Sequence, residues 1–245
     1  MLDTLEILES TGRVNGLELS EKKTKILKIR GSGDSEMIGR YKVEKEARYL
    51  GIQVGGRGRS IFDAENKIWI QKAEKKANDI LSQIKKSADK VIVGKAIWKL
   101  MAIPALLFGR AVVTTIRGNI DKLQRIENKV WRYLLGIGGY STVEALREEI
   151  GASMVKSRIM ETMQLYMINT LSSDFTNVKL MMKDTISKKR GKWYNAIEEY
   201  RIELELSWDK LKAMDKPTLK RVVREYDTEK WFEGMRKKQS LRFYI

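Results

Sequence analysis

From Arg59 onward the chain carries helical periodicity almost without interruption, and its only two prolines stand at positions 104 and 217. This confines most of its length to packed helices, because a period near 3.6 cannot settle as a strand and only two positions force a break. In the helix beginning near Ser60, Trp69, Ala73, Ala77, Ile80 and Ile84 share one face, with Lys72, Lys75 and Lys86 on the other. A second run covers Val91 to Met101, where Pro104 limits or kinks it. Asn119 is placed to cap a helix reaching Leu135, closed by Gly136, Gly138 and Gly139; Ser141 or Thr142 caps the next, which ends at Gly151. Further helices are expected over Val155 to Leu171, Val178 to Ile186, Trp193 to Leu206, and Pro217 to Lys238.

The first part of the chain reads differently. Leu2, Leu5 and Leu8 open a short helix that stops at Gly12 or Gly16. Alternation then appears at Leu17 to Leu19, Thr24 to Ile29, Tyr41 to Val43 and Tyr49 to Val54, with a turn at Gly31-Ser-Gly33, which suits a small, mostly antiparallel sheet. The run Gly55 to Arg59 is a flexible break that lacks the ending of a phosphate-binding loop. The expected class is α+β, mainly α, in three parts: a sheet-bearing part over 1–57, a helical domain over 58–151 and a basic helical extension over 152–245.

Charge narrows the partners. The 48 Lys and Arg against 32 Asp and Glu give a formal charge of +16, which favours polyanions and nucleic acid first. The three parts carry +2, +7 and +7, so the excess lies in the helices. Cysteine and histidine are both absent, which excludes disulfides, zinc fingers, Ser-His-Asp triads and HExxH sites. The apolar stretch from Ala96 to Ile116 is interrupted by Lys99, Pro104 and Arg110 and reads as buried helices. The opening residues are not those of a secretory signal. No membrane partner is expected, and the expected location is intracellular, the nucleus if the host is eukaryotic.

The sharpest candidate site lies on the helix near Asn119. Lys122, Arg125, Lys129 and Arg132 form a narrow basic stripe, while Leu123, Ile126, Val130 and Leu134 give the same helix a face to bury. Cations in a row at about 1.5 Å rise per residue suit the tracking of a phosphate backbone; an ordinary solvated face is the other reading, and Glu127 is the only acid within the run. Basic residues also interleave with aromatics at Lys188 to Tyr194 and Arg236 to Tyr244, where rings could stack on bases or simply fill the core. Trp98, Trp208 and Trp231 read as core residues. The adjacent acids, Glu148-Glu149 and Glu198-Glu199, read as surface glutamates on helices.

Gly16-Leu-Glu-Leu-Ser-Glu-Lys-Lys-Thr-Lys-Ile-Leu27 is followed, after an interval, by Tyr49-Leu50-Gly51. In that order they resemble the segment after the catalytic hairpin and the primer grip, at the end of the palm, of non-LTR (LINE-like) retrotransposon reverse transcriptases. Lys95 to Trp98, Pro104 to Gly109, Leu123 to Lys129, Arg132 to Gly136 and Leu146 to Gly151 look like thumb landmarks, so the likeness runs over roughly residues 1–170. It implies that Lys23 matches a lysine proposed to protonate departing pyrophosphate, with Lys22 able to substitute and a sheet-edge lysine the plainer alternative. It also implies that Tyr49, Leu50 and Gly51 hold a primer end, unless Tyr49 and Leu50 anchor the sheet. RNA, DNA or an RNA–DNA hybrid is the partner implied.

In that family a catalytic aspartate pair precedes the opening helix, and this sequence has no adjacent Asp-Asp pair. The expectation is therefore part of a retrotransposon-type RNA-directed DNA polymerase, inactive alone and with no cofactor of its own, magnesium belonging to the intact enzyme. The alternative is a non-enzymatic helical scaffold whose charge confers solubility. Oligomeric state is left open by the sequence.

Overall fold

The computed structural model describes residues 2–27, 37–55, 62–85, 87, 89–113, 117–139 and 141–238. The chain divides into two compact units, Met1–Ile68 and Trp69–Ile245. The architecture is α+β and mainly α, and among the described residues the small strands fall in the first unit.

In the first unit, α1 (Leu2–Val14) ends where Gly16 adopts φ 69° and Leu17 N–H returns to Gly12 O at 2.8 Å. A three-stranded sheet follows in the order β1 (Ile26–Leu27), β3 (Tyr41–Glu44), β2 (Met37–Ile38). β1 lies parallel to β3, pairing Ile26 with Val43, and β2 lies antiparallel to it. The buried Tyr41 hydroxyl donates to Glu9 at 2.5 Å, and the Arg40 guanidinium reaches the same carboxylate at 3.1 Å, tying α1 to the sheet.

The second pair, β4 (Glu46–Tyr49) and β5 (Ile52–Gly55), is an antiparallel hairpin with Tyr49 facing Ile52. The stretch from Tyr49 to Val54 reads as one strand in the sequence; here it folds back on itself at Leu50 (φ 46°) and Gly51 (φ 84°). Two consecutive positive φ angles make the primed turn that suits strand twist. Alternation alone cannot reveal it, since Leu50 is a residue that ordinarily avoids that conformation. Leu17–Leu19 forms no strand, and the expected turn at Gly31-Ser-Gly33 and the break from Gly56 to Arg59 lie outside the described residues.

α2 (Asp63–Ile84) contributes the expected apolar face to the second unit: Trp69, Ala73, Ala77, Ile80 and Ile84 are all buried. α3 (Lys90–Ile97), capped by Asp89 accepting from Ile92 N–H at 2.9 Å, widens into a π turn over Trp98–Ala102, in which Ile103 N–H bonds to Trp98 O. α4 (Ile103–Leu107) continues from there. Pro104 does not end the helical run, which passes through the widened turn into α4 with the proline in α4's first turn.

α5 (Arg117–Leu135) begins before Asn119, which therefore lies within the first turn instead of capping it. Its end is as expected: Gly136 takes φ 66°, and Ile137 N–H reaches back to Arg132 O at 3.1 Å. α6 (Val143–Ile150) starts after Thr142 and closes in the same way at Gly151. α7 (Val155–Leu171) matches its expected span and forms the axis of this unit, packing against α4, α5, α8, α9, α10 and α11. Val155, Ile159, Met160, Met163, Met167 and Ile168 are buried around it, as befits a helix enclosed on most sides.

α8 (Thr176–Lys188), α9 (Lys192–Glu203) and α11 (Lys216–Arg236, with Pro217 in its first turn) fall where periodicity placed them. α10 (Trp208–Ala213) has only six residues, too few to show a period. Asp227 on α11 binds Arg147 Nη2 at 2.7 Å, Ser157 Oγ at 2.6 Å and Met154 N–H at 3.1 Å, locking α11 against the α6–α7 corner.

Gly94 on α3 abuts the buried Leu134: a Cβ there would lie 2.4 and 2.7 Å from its methyls. Gly94→Ala should therefore destabilise the protein by about 1–3 kcal/mol in chemical denaturation through overpacking, although alanine is the better helix former by about 1 kcal/mol. Gly118→Ala on α5, with nothing within 4 Å of the added carbon, should stabilise. Equal effects of the two substitutions would contradict the packing described.

Candidate nucleic-acid interface

α5 divides its faces sharply. Leu123, Val130 and Leu134 are buried with Ile120 and Trp131, and Ile126 packs at the edge of the core. Lys122, Arg125 and Lys129 are exposed on the opposite side, and among the described residues none of the three has an ion-pair or hydrogen-bond partner. Such cations keep their full charge available to an incoming anion.

The acid inside the run is not part of that surface. Glu127 is 1% exposed; it accepts from Trp98 Nε1 at 2.6 Å and is ion-paired with Arg158 of α7. Its charge is consumed within the core, so no exposed carboxylate stands between Lys122 and Lys129, although the exposed Asp121 directly precedes them. Sequence spacing showed an acid within the run but not which way it turns.

Arg132 behaves differently from the other three. It is half-buried, and its Nη2 donates to Ser141 O at 3.0 Å, bracing the glycine-rich connection to α6. The free stripe thus has three cations, and Arg132 holds its end.

Arg125 and Lys129 border a groove of about 310 Å³ whose far wall is Glu74, Ala77, Asn78 and Leu81 of α2. Lys72 and Lys75 are exposed on α2 but lie roughly half a turn and a third of a turn round that helix from the groove. The structure therefore does not join them to the α5 stripe. The side chain of Lys86 lies outside the described residues.

In the first unit, Lys23 is exposed in the turn before β1, its N–H bonded to Ser20 O at 3.1 Å. Tyr49 and Leu50 sit at the hairpin tip, 69% and 73% exposed, beside Gly51. Anchoring the sheet by burial is thus not what these two side chains do.

Sequence reasoning missed the cleft of about 510 Å³ at the start of α5, where Arg117, Lys156 and Lys192 meet Asp121 and Glu199 from three helices. No local pattern links residues so distant in the chain. Lys156 is held there by both oxygens of Glu203 at 2.6 Å, and Tyr226 donates to the same carboxylate at 2.6 Å. Among the described residues, no three His, Cys, Asp or Glu converge as a metal site would require, and no helix is long and apolar enough to cross a membrane. No protein-family model, curated protein or solved structure matches the chain.

Burial raises the Glu203 carboxyl, but the Lys156 ammonium and the Tyr226 hydroxyl outweigh it and hold the group below its ordinary value of 4.5. A depressed carboxyl stabilises the fold above its unfolded pKa and loses that contribution as pH falls through the folded one. Thermal melts from pH 7 to pH 3 should therefore show Glu203→Gln less stable at neutrality and less sensitive to acid below about pH 4.5. Parallel profiles for the two proteins would refute the arrangement.

Proposed function

We propose that the chain is part of a retrotransposon-type RNA-directed DNA polymerase, the end of the palm with the thumb, and that it grips template–primer nucleic acid by its phosphates. The single observation that carries the binding role is the α5 surface: Lys122, Arg125 and Lys129 unpaired and in line, with the one intervening acid, Glu127, turned into the core. Contacts of this kind position a duplex without reading its sequence. The polymerase part of the reading rests on the ordered motif resemblance from Gly16 to Gly151.

Within that reading, the exposed hairpin tip Tyr49-Leu50-Gly51 is the primer grip and Lys23 the lysine near departing pyrophosphate. The role assigned to this chain is to hold and orient the duplex.

Salt titration of RNA–DNA hybrid binding tests it. Each phosphate-neutralising cation contributes about 0.7 to 0.9 to the slope of log affinity against log salt. Lys122→Gln combined with Lys129→Gln should flatten that slope by about 1.4 to 1.8 and weaken binding at every salt concentration. An unchanged slope would remove the stripe from the interface, and no binding by the unaltered protein at low salt would favour a scaffold whose charge serves solubility.

A further inference from the structure

A second basic site lies beyond residue 170, where the polymerase resemblance does not reach. Lys183 of α8, Lys189 of the α8–α9 turn and Lys212 of α10 border a cavity of about 570 Å³ whose wall includes Tyr194 and Trp208. That volume is within the range of small-molecule sites. No acidic side chain lines it, and among the described residues none of the three lysines is ion-paired.

The two rings lie nearly parallel, 13° apart with centroids at 5.9 Å, and the Lys212 ammonium is 5.9 Å from the Trp208 ring. Tyr194 is buried and Trp208 partly buried, with the Arg201 guanidinium 5.4 Å from the Trp208 ring. The neighbouring acid, Glu198, has both oxygens bound by Arg201, at 2.9 and 2.6 Å, and feels Lys189 only as a weaker, more distant charge.

Lys189 adds an independent observation. Its φ of 47° and ψ of 38° place it in the left-handed region at the end of α8, where a non-glycine residue costs about 1–2 kcal/mol. The helix end does not need it as a cation, since Lys188 already stands in the last turn, paired with Asp184 at 2.6 Å. A lysine kept in a strained position, with its side chain on the wall of a cationic cavity, fits a ligand-holding role.

A bare anion has no use for the rings, and an apolar ligand none for three ammonium groups. We propose that this cavity takes one phosphorylated nucleoside, its base against Trp208 and its phosphate among Lys183, Lys189 and Lys212, either as a free mononucleotide or as a unit of a single strand. Stacking on an aromatic face with cations around the phosphate is sequence-tolerant chemistry. The proposal does not depend on the α5 stripe.

The test uses the full chain, a fluorescently labelled DNA tetranucleotide followed by anisotropy, and adenosine monophosphate as competitor. Lys189→Gly removes the cation while relieving the left-handed backbone, so its melting temperature should equal or exceed that of the unaltered protein. Lys189→Gly combined with Lys212→Gln should weaken tetranucleotide binding about tenfold. Competition by adenosine monophosphate supports a mononucleotide pocket, and tetranucleotide binding without competition supports a single-strand subsite. Wild-type affinity in the folded Lys189→Gly, Lys212→Gln protein, or no binding of either probe by the unaltered chain at millimolar concentration, overturns the proposal.

Discussion

Glu127 is the residue on which the second unit turns. Its carboxylate receives the Trp98 indole from the π turn and the Arg158 guanidinium from α7, so one buried side chain on α5 joins three helical segments. Truncating one partner of such a cluster leaves a charge or an N–H buried without compensation, which typically costs about 3–5 kcal/mol. Trp98 meets Trp131 edge-to-face at 5.6 Å alongside it, so polar satisfaction and ring packing fix the same approach of α3 and α5. The inward turn of this acid also sets the character of the outer face. Had Glu127 pointed outward between Arg125 and Lys129, it would have neutralised the centre of the stripe.

A second buried carboxylate plays a comparable part farther along the chain. Asp227 collects Arg147, Ser157 and the Met154 N–H, drawing α11 onto the α6–α7 corner. The helices expected over 58–151 and over 152–245 therefore share one core, with Leu146 and Ile150 buried in the same cluster as Leu219 and Val223. What the last helices add is a cationic cavity with its own aromatic wall, remote in sequence from α5 and lined by side chains from α7, α8, α9, α10 and the α8–α9 turn.

Much of this architecture was legible in the sequence because it rests on local periodicity. The buried face of α2, the span of α7 and the glycine exits at Gly136 and Gly151 all follow from patterns within a few turns. The hairpin at Leu50-Gly51 was not, because its turn puts leucine where pattern reasoning expects glycine or asparagine. Nor was the fate of Arg132, whose partner Ser141 O comes from a connection that only the closed helix end brings near. The stripe was visible as spacing, yet the inward turn of the acid within it depends on Trp98 and Arg158, 29 and 31 residues away. Trp208 read as core and Tyr194 as core or stacking ring, and the structure makes both of them core and cavity wall, Tyr194 buried and Trp208 partly so.

α5 is the surface proposed to meet a nucleic-acid backbone, and lysine footprinting addresses it most directly. Amine acetylation followed by peptide mass mapping, with and without a bound RNA–DNA hybrid, reads every lysine in one experiment. Lys122 and Lys129 should be protected by the hybrid, while Lys75, facing away from the groove on α2, stays reactive. Equal modification of Lys122 and Lys129 in the free and bound protein would contradict the account.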